Sequence, residues 1–491
     1  MRPSRRILGF AASAALGIAG ACVSAPPIGR YLAETPATPV RVATPHGILT
    51  HAQSERILAE LRKRSPDTTI LDRHAAIEQT LAGTPLSTGN RATLLQDGPA
   101  TYRAMLAAIR DAKSFVHLEM YIFEAGAVGR EFADALVARR KAGVEVRVIY
   151  DGAGSLDTPQ EFFDAMRREG IEVLAYNPIS PGKVVEKGAA LDHRDHRKLL
   201  VVDGRVAFVG GINISHVYGS APRGPGGSKR SGPASGSSGA SSKSAGGEPV
   251  QGAPGKEAQP EEPWRDTQVR IEGPVVAQFE KLFLQQWAKQ RNEPASEDPR
   301  YFPHVPEAGH ELARAIAGNP DDGADASYIA LVSAIESAEA SVRITNAYFV
   351  PAKELRRALE AAAARGVRVD LMLPSELDTW VPLEAGRSYY DELLSAGVHV
   401  HEIEGRLLHA KTATIDGVWS TVGSTNLDYR SLDHNDELNV VVLGPDFAAS
   451  MERAFARDVA RSRTITLEAW RERSLYERLR EAAARMTAYF L

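Results

Sequence analysis

Cysteine is almost absent from this chain of 491 residues. The one cysteine is Cys22, which excludes an intramolecular disulfide framework and any zinc site built from several cysteines. A basic excess is also lacking, since the formal net charge is −4 and the sequence pI is about 6.4. We therefore expect no nucleic-acid partner. After the first residues, no stretch reaches the ~18 uninterrupted apolar residues that a membrane span requires.

The first 25 residues have the layout of a bacterial secretory signal. Arginines precede an apolar run from Ile7, and small residues follow it. The run 18–22, IAGAC, resembles a lipoprotein signal, in which Cys22 would be lipidated. The alternative is a signal cut after the Ala-Gly-Ala run, or an uncleaved anchor, with Cys22 incidental. We expect a signal over 1–22 and an exported, membrane-associated protein of the bacterial cell envelope, with Cys22 as its lipidation site.

A histidine-lysine-aspartate spacing occurs twice in the chain. The first copy is HRKLLVVDGRVAFVGGINIS (196–215), with His196, Lys198 and Asp203. The second is LLHAKTATIDGVWSTVGSTN (407–426), with the same three residue types at the same spacing, at His409, Lys411 and Asp416. Each copy continues to a small-residue pair and an asparagine, which are Asn213 and Asn426. One such spacing is weak evidence, but two in register are strong evidence for a shared role.

The repeat extends over most of the chain. Residues 131–149 match 354–372 without a gap, and an acid follows each motif at Asp266 and Glu437. A repeat of about 200 residues is too long for a solenoid and indicates two fused copies of one domain.

Within each copy, helical periodicity ends at a glycine and an alternating strand follows. The predicted fold class is therefore α/β, as two fused α/β/α sandwich domains related by a pseudo-two-fold axis, with an active site shared between them. The predicted divisions are an N-terminal helical and linker segment (23–95), the first domain (96–290), a connector (291–325), the second domain (326–465) and a C-terminal helix (466–491).

Residues 219–263 interrupt the first copy with glycine, serine, proline, alanine and charge. Such a composition cannot bury a core, so we expect a disordered insertion. Its basic residues suit a contact with anionic lipid, and the alternative is a solvated spacer.

Two histidines that meet across a copy-copy interface suit phosphodiester chemistry. One neutral imidazole can attack phosphorus and form a phosphohistidine, while the other, protonated, gives a proton to the departing oxygen. Cations and amide donors should surround the phosphoryl oxygens, and a carboxylate should orient each imidazole. The chain offers these groups in pairs: Lys198 and Lys411, Asn213 and Asn426, Asp266 and Glu437.

These motifs resemble those of the phospholipase D superfamily and, within it, bacterial cardiolipin synthases. The resemblance covers about residues 90–463 outside the insertion and includes GSTNLDYRSLDHNDE (423–437). It implies a two-step mechanism that needs no metal or other cofactor, with Asp203 and Asp416 in structural roles. It also implies that His196 is the nucleophile, supported by Asp266, while His409, supported by Glu437, handles the proton. The implied partners are a phospholipid membrane and an anionic phospholipid substrate, and a monomer is expected.

Three function classes remain open. The first is a phosphatidyl transferase that forms cardiolipin from phosphatidylglycerol. The second is a phosphodiesterase of the same fold that uses water on phospholipid or nucleic acid, although the acidic net charge opposes nucleic acid. The third is a non-catalytic protein, and the two complete motif copies argue against it. Transfer and hydrolysis differ only in how the site holds an alcohol against water.

Overall fold

The computed structural model describes residues 39–66, 68–179, 193–219, 263–319, 325–377 and 379–488. The predicted signal over 1–22, with Cys22, lies outside these residues, as does nearly all of the predicted insertion. No helix in the described ranges is long and apolar enough to cross a membrane. The described ends of the insertion are close together, since the Trp264 N–H donates to the Val217 carbonyl at 3.0 Å.

The N-terminal segment and the first copy contain ten strands and six helices in the described residues. The strands are β1 Val42–Thr44, β2 Gly47–Ile48, β3 Leu86–Gln96, β4 Phe115–Met120, β5 Glu145–Asp151, β6 Glu172–Tyr176, β7 Arg194–Asp195, β8 Lys198–Val202, β9 Val206–Gly210 and β10 Thr267–Glu272. The helices are α1 His51–Arg64, α2 Ile70–Ala82, α3 Asp97–Asp111, α4 Ala127–Lys141, α5 Gln160–Arg168 and α6 Val276–Arg291.

The rest of the described chain contains eight strands and eight helices. The strands are β11 Glu311–Gly318, β12 Ser341–Asn346, β13 Arg368–Pro374, β14 His399–Ile403, β15 Lys411–Ile415, β16 Trp419–Gly423, β17 Asn435–Leu443 and β18 Ser462–Ile465. The helices are α7 Ala326–Ser337, α8 Lys353–Ala364, α9 Trp380–Arg387, α10 Tyr390–Ser395, α11 Tyr429–Asp433, α12 Pro445–Val459, α13 Leu467–Arg471 and α14 Leu475–Arg485.

Each copy folds around a mixed sheet with the same topology. In the first copy the strand order is β3-β10-β9-β8-β4-β5-β6, and β4, β5 and β6 run parallel. In the second copy it is β11-β17-β16-β15-β12-β13-β14-β18, with β12, β13 and β14 parallel. Helices α3, α4 and α5 pack on one face of the first sheet and α6 on the other. The prediction of two fused α/β sandwich domains is confirmed.

The two copies are joined through their sheets and their cores. Strands β3 and β11, which are equivalent in the two copies, pair antiparallel, with Ala313 opposite Ser87. One hydrophobic cluster contains residues of both sheets, among them Leu199, Val269 and Leu438. The shared cluster and the paired edge strands hold the two copies in one orientation, which fixes how their motifs meet.

Two glycines explain the matching helix-to-strand turns. The helical stretches predicted to end at a glycine are α4 and α8, and each is followed by a glycine in the left-handed region, Gly143 (φ 90°) and Gly366 (φ 88°). A side chain would strain this backbone conformation, so glycine at each position ends the helix and starts the next strand.

Three segments differ from the predicted divisions. The predicted N-terminal linker ends in β3, which is the edge strand of the first sheet, and the predicted connector contains β11. The single helix predicted over 466–491 is two helices in the described residues, α13 and α14. A capping box at Ser474, in which its side chain accepts from the Glu477 N–H, starts α14 anew.

Candidate active site

The motif histidines and lysines lie at one edge of each sheet. Lys198 starts β8, where it pairs with Met120 at the carboxyl end of β4, and Lys411 starts β15, where it pairs with Asn346 at the end of β12. His196 and His409 lie two residues earlier, and both histidines and lysines are buried. Each lysine ammonium donates to the carbonyl of the histidine in its own copy. The strand period of two therefore sets each histidine beside its lysine.

The two copies exchange short segments at this edge. Strand β7, just before His196, pairs parallel with the start of β17, so Asp195 lies opposite Asp436. The His196 N–H then donates to the Asp436 carbonyl at 2.9 Å, and the His409 N–H donates to the Arg265 carbonyl at 2.7 Å. The residue after each of these carbonyls is a motif acid, so each acid lies beside the histidine of the other copy.

The expected pairing of histidines with acids within each copy is therefore wrong. His196 Nδ1 lies 3.0 and 3.1 Å from the two carboxylate oxygens of Glu437, and not beside Asp266. His409 Nδ1 lies 2.7 Å from Asp266 Oδ2. The acids follow their motifs in the sequence, but the strand exchange carries each one across the interface. Each imidazole is oriented by a carboxylate of the opposite copy.

Equivalent positions in the two copies carry hydroxyl groups that contact different partners. Tyr218 and Ser431 each lie five residues after the motif asparagine. The Ser431 hydroxyl donates to Glu437 at 2.8 Å, whereas the Tyr218 hydroxyl reaches the imidazole itself, 3.0 Å from His409 Nδ1. Asn435 Nδ2 also donates to Glu437, at 3.3 Å. These contacts make the surroundings of the two histidines unequal.

Aromatic rings line both histidine-lysine pairs. The Tyr121 ring lies edge-on to His196, at 4.9 Å between ring centres, and the Lys198 ammonium lies 5.0 Å from the centre of the same ring. In the second copy, Tyr348 lies 6.4 Å from the His409 ring centre. The Tyr348 ring therefore lies beside the second histidine-lysine pair.

Burial and like charge favour the neutral form of both imidazoles. Burial lowers the pKa of His196 well below its usual range, and Lys198 and Lys411 act in the same direction. Burial and the Lys411 ammonium together lower the pKa of His409 to about 4, although the Asp266 carboxylate opposes both. Burial lowers the pKa of the Lys198 ammonium to about 7. A bound phosphodiester anion would raise the pKa values of His196, His409 and Lys198, because its negative charge stabilises their protonated forms.

The two orienting acids differ in charge. Burial raises the pKa of Glu437 to about 7, although Lys198 opposes this shift. Burial would also raise the pKa of Asp266, but His409, Lys411 and the Thr267 N–H together hold it below its usual value. Asp266 is therefore the more fully ionised of the two acids, and it is the acid that contacts His409.

Each motif aspartate accepts hydrogen bonds from backbone N–H groups at the start of a neighbouring strand. Asp203 accepts from the backbone N–H groups of Lys113, Ser114 and Phe115 at 2.7–2.9 Å, and its φ of 54° is left-handed. Asp416 (φ 51°) does the same for residues 339–341 at 2.8–2.9 Å, and also accepts from Thr68 Oγ1. These contacts hold the starts of β4 and β12 in place, which is a structural role.

The two motif asparagines are buried near the same edge. Asn213 Oδ1 accepts from the Ile122 N–H at 3.0 Å, while Asn426 Oδ1 has no hydrogen-bond partner among the described residues. Their role in binding phosphate stays a prediction. The preceding small residues are sterically required, because a Cβ on Gly211 would lie 2.2 Å from Asp266 Oδ1, and one on Gly423 would lie 1.8 Å from Asn439 Oδ1.

Known proteins resemble this chain over both copies. The family model for the cardiolipin synthase phospholipase D-like domain matches residues 105–218 and 331–459, one match for each copy. A probable cardiolipin synthase of Bacillus subtilis (strain 168) is 30% identical over 401 residues, covering 82% of this chain and 72% of the relative. This chain belongs to the cardiolipin synthase family.

Two further proteins match a similar share of this chain. A cardiolipin synthase of Geobacillus kaustophilus (strain HTA426) is 30% identical over 409 residues, covering 83% of this chain and 74% of that protein. The crystal structure of a phosphatidylserine synthase of Haemophilus influenzae Rd KW20 superposes with a TM-score of 0.59 at 12% identity, covering 84% of this chain and 98% of that one, which supports the fold. As a member of the cardiolipin synthase family, the chain is an enzyme, a phosphatidyltransferase of the phospholipase D type.

Some residues of this family member's site were not singled out from its sequence. Tyr218, Ser431 and Tyr121 contact the histidines or their acids. Arg430 adds positive charge near His196. Alignment of the two copies could have indicated Tyr218 and Ser431, because both carry a hydroxyl at the same distance after the motif asparagine. Tyr121 and Tyr348 are offset by one residue in that alignment, so the repeat hides them.

Proposed function

We propose that this protein joins two phosphatidylglycerol molecules into cardiolipin and releases glycerol, through a phosphohistidine on His196. The observation that carries the proposal is the crossed pair of carboxylates. Each imidazole has Nδ1 bonded to an acid of the opposite copy, which directs its Nε2 away from that acid. Two oriented imidazoles and two lysines at one interface suit in-line transfer of a phosphoryl group.

In the first step, His196 Nε2 attacks the phosphorus of one phosphatidylglycerol. The substrate anion raises the pKa of His409, which then carries a proton on Nε2. The bond from phosphorus to the glycerol oxygen breaks, and that oxygen takes the proton from His409 Nε2, so free glycerol leaves. The phosphatidyl group remains on His196. Lys198 and Lys411 balance the charge that gathers on the phosphoryl oxygens.

In the second step, the terminal hydroxyl of another phosphatidylglycerol attacks the same phosphorus. His409, now neutral, takes the hydroxyl proton, and the bond from phosphorus to His196 breaks. Cardiolipin leaves, and both imidazoles return to their starting state. With water in place of the alcohol, the same step would release phosphatidic acid.

The unequal surroundings support this division of labour. The proton donor must carry positive charge, and a firmly ionised acid stabilises an imidazolium best. Asp266 is that acid, and it contacts His409. His196 faces Glu437, whose pKa near 7 leaves it a weaker counter-charge, so His196 is the better neutral nucleophile.

Lipid mass spectrometry after incubation with phosphatidylglycerol vesicles tests the function. We expect cardiolipin and glycerol in equal amounts, lost in His196→Ala and in His409→Ala but kept in His310→Ala, an exposed histidine paired with Asp446. Phosphatidic acid as the main product would assign hydrolysis instead. An unchanged lipid pool would exclude both activities.

We further propose that the protein works in the bacterial cell envelope, held there by a lipid on Cys22. The composition of residues 1–22 supports this. Incorporation of radioactive palmitate into the protein, and its loss in Cys22→Ser, would be expected. Equal labelling of both forms would refute the assignment of Cys22.

A further inference from the structure

Helix α14 carries its apolar side chains on its solvent side. At about 100° per residue, Leu475, Leu479 and Met486 lie within about 40° of one another around the helix axis. Their exposed fractions are 72%, 62% and 83%. Ala482 lies on the same side, and Tyr476, 72% exposed, flanks it. A surface helix of a globular protein normally turns such a stripe toward the core.

The buried side of α14 carries Glu481 and the small residue Ala484. Glu481 is buried and accepts from Arg473 Nη2 at 2.7 Å. Arg480 Nη2 donates to Glu384 Oε1 on α9 at 2.6 Å. Ion pairs therefore attach the helix to the second copy and leave the apolar stripe facing outward.

The helix lies beside the sheet edge that carries the active site. Helix α9 begins at Trp380, shortly after β13, and the Arg480 guanidinium lies 5.5 Å from the centre of the Trp380 ring. Strand β13 runs parallel to β12, whose last residue, Asn346, pairs with Lys411. The carboxyl ends of both strands therefore share the catalytic edge, and Trp380, 56% exposed, follows it.

The first copy presents apolar side chains at the equivalent edge. Leu156, 63% exposed, follows β5, and Ile179, 45% exposed, follows β6. Both strands run parallel to β4, whose last residue, Met120, pairs with Lys198. Exposed apolar groups of both copies thus lie around the one edge where the lysines and histidines meet.

We infer that these residues form a docking face for a phospholipid bilayer, composed of Leu156, Ile179, Trp380, Leu475, Tyr476, Leu479 and Met486. The inference rests on the proposed function in that the substrate is a diacyl lipid held in a bilayer. Leucine and methionine enter the acyl boundary, whereas tryptophan and tyrosine favour the headgroup level. Clustered exposed apolar groups on a soluble surface indicate an interaction site.

Position favours a membrane over a second copy of the chain. Arginines of the segment 471–486 already form ion pairs with acids of the second copy, Arg471 with Asp391, Arg480 with Glu384 and Arg485 with Glu392. The argument for a bilayer therefore rests on the exposed apolar side chains and on where they lie. A second copy seated here would cover the edge through which the lipid substrate reaches the histidines, whereas a bilayer seated here would deliver it.

Site-specific probes test the docking face in the full chain. Cys22→Ser removes the one cysteine and any lipidation there, so Met486→Cys can be labelled alone with a polarity-sensitive fluorophore. Ile48→Cys is the matched control, since Ile48 is 56% exposed and lies on β2, near the end of β3 remote from the catalytic edge. Vesicles of equal parts phosphatidylglycerol and phosphatidylcholine should shift the emission at position 486 to the blue and leave position 48 unchanged.

Each other outcome contradicts the docking face. No shift at position 486, or equal shifts at both positions, would overturn it. A blue shift that appears without vesicles and rises with protein concentration would assign the face to self-association. These results are independent of catalysis, so they would stand even if the protein made no cardiolipin.

An activity measurement adds a second arm. The double variant Leu475→Asn, Leu479→Asn should lose about tenfold or more of its rate on phosphatidylglycerol vesicles, because two apolar anchors no longer enter the bilayer. Its rate on a water-soluble, short-chain aryl phosphodiester should match that of the unaltered protein, as should both rates of Ile48→Asn. An equal loss on both substrates would indicate a damaged fold and refute a role confined to docking.

Discussion

Exchange of each orienting acid for its amide should affect a different histidine. Asp266→Asn should impair proton donation by His409, and Glu437→Gln should impair attack by His196. The bond from His409 to Asp266, at 2.7 Å between buried groups, is charge-assisted. Such a bond contributes about 1.5–3 kcal/mol, which corresponds to a rate loss of about 10- to 150-fold. A reversed imidazole tautomer would extend the loss toward ~10⁴-fold.

The assay compares two leaving groups on the same lipid. Phosphatidylglycerol loses an alcohol that needs a proton, whereas the p-nitrophenyl ester of phosphatidic acid loses a phenolate that needs little help. We expect the loss in Asp266→Asn to shrink below about tenfold on the aryl ester, because His409 is then dispensable for departure. The loss in Glu437→Gln should persist on both substrates.

Two other results would contradict the roles assigned to the two histidines. Recovery of Glu437→Gln on the aryl ester, with no recovery of Asp266→Asn, would exchange the roles of the two histidines. Equal recovery of both variants would refute the argument that the unequal acids assign the roles. Melting temperatures of both variants, matched to the unaltered protein within a few degrees, are the control for folding.

Three further results are expected. Replacement of residues 222–260 by a short glycine-serine linker should leave the melting temperature and the rate nearly unchanged, because the described ends are already in contact; a large fall in melting temperature would refute this. Asp203→Ala should cost about 2–4 kcal/mol in urea unfolding, since three backbone N–H groups lose their acceptor, and Asp203→Asn, which tolerates a left-handed φ, should cost clearly less; equal costs would contradict this account. Contact with His117 is the largest cause that lowers the pKa of Glu145 to about 2, so its ionised form stabilises the fold above the unfolded value of 4.5, and this contribution disappears as pH falls through about 2. Glu145→Gln should therefore lower the melting temperature at neutral pH but not near pH 2, and a gap independent of pH would exclude the linkage.

The doubled motif made the fold and the central residues predictable from sequence. His196 and His409 recur in register with their lysines, and the helix-glycine-strand pattern ending at Gly143 and Gly366 predicts the α/β layers. Local periodicity and repetition carry this information, because both are properties of neighbouring residues.

The partner of each histidine could not be predicted in the same way. Asp266 and Glu437 follow the motifs of their own copies in sequence, so proximity along the chain suggests a pairing within each copy. The parallel bridge between Asp195 and Asp436 reverses it, and that bridge depends on how the two sheets dock. The outward stripe of α14 was hidden for a similar reason, since Leu475 and Leu479 show helical spacing whether they face a core or solvent.

The crossed carboxylates also determine when the enzyme becomes active during its own synthesis. Domains of a growing chain fold from the N-terminus as they emerge from the ribosome. The first copy emerges with His196, but the acid that orients this imidazole lies 241 residues further on. A half-made chain therefore holds no oriented nucleophile, however well its first sheet has folded. A chain that lacks the second copy should therefore have no phosphodiesterase activity through His196.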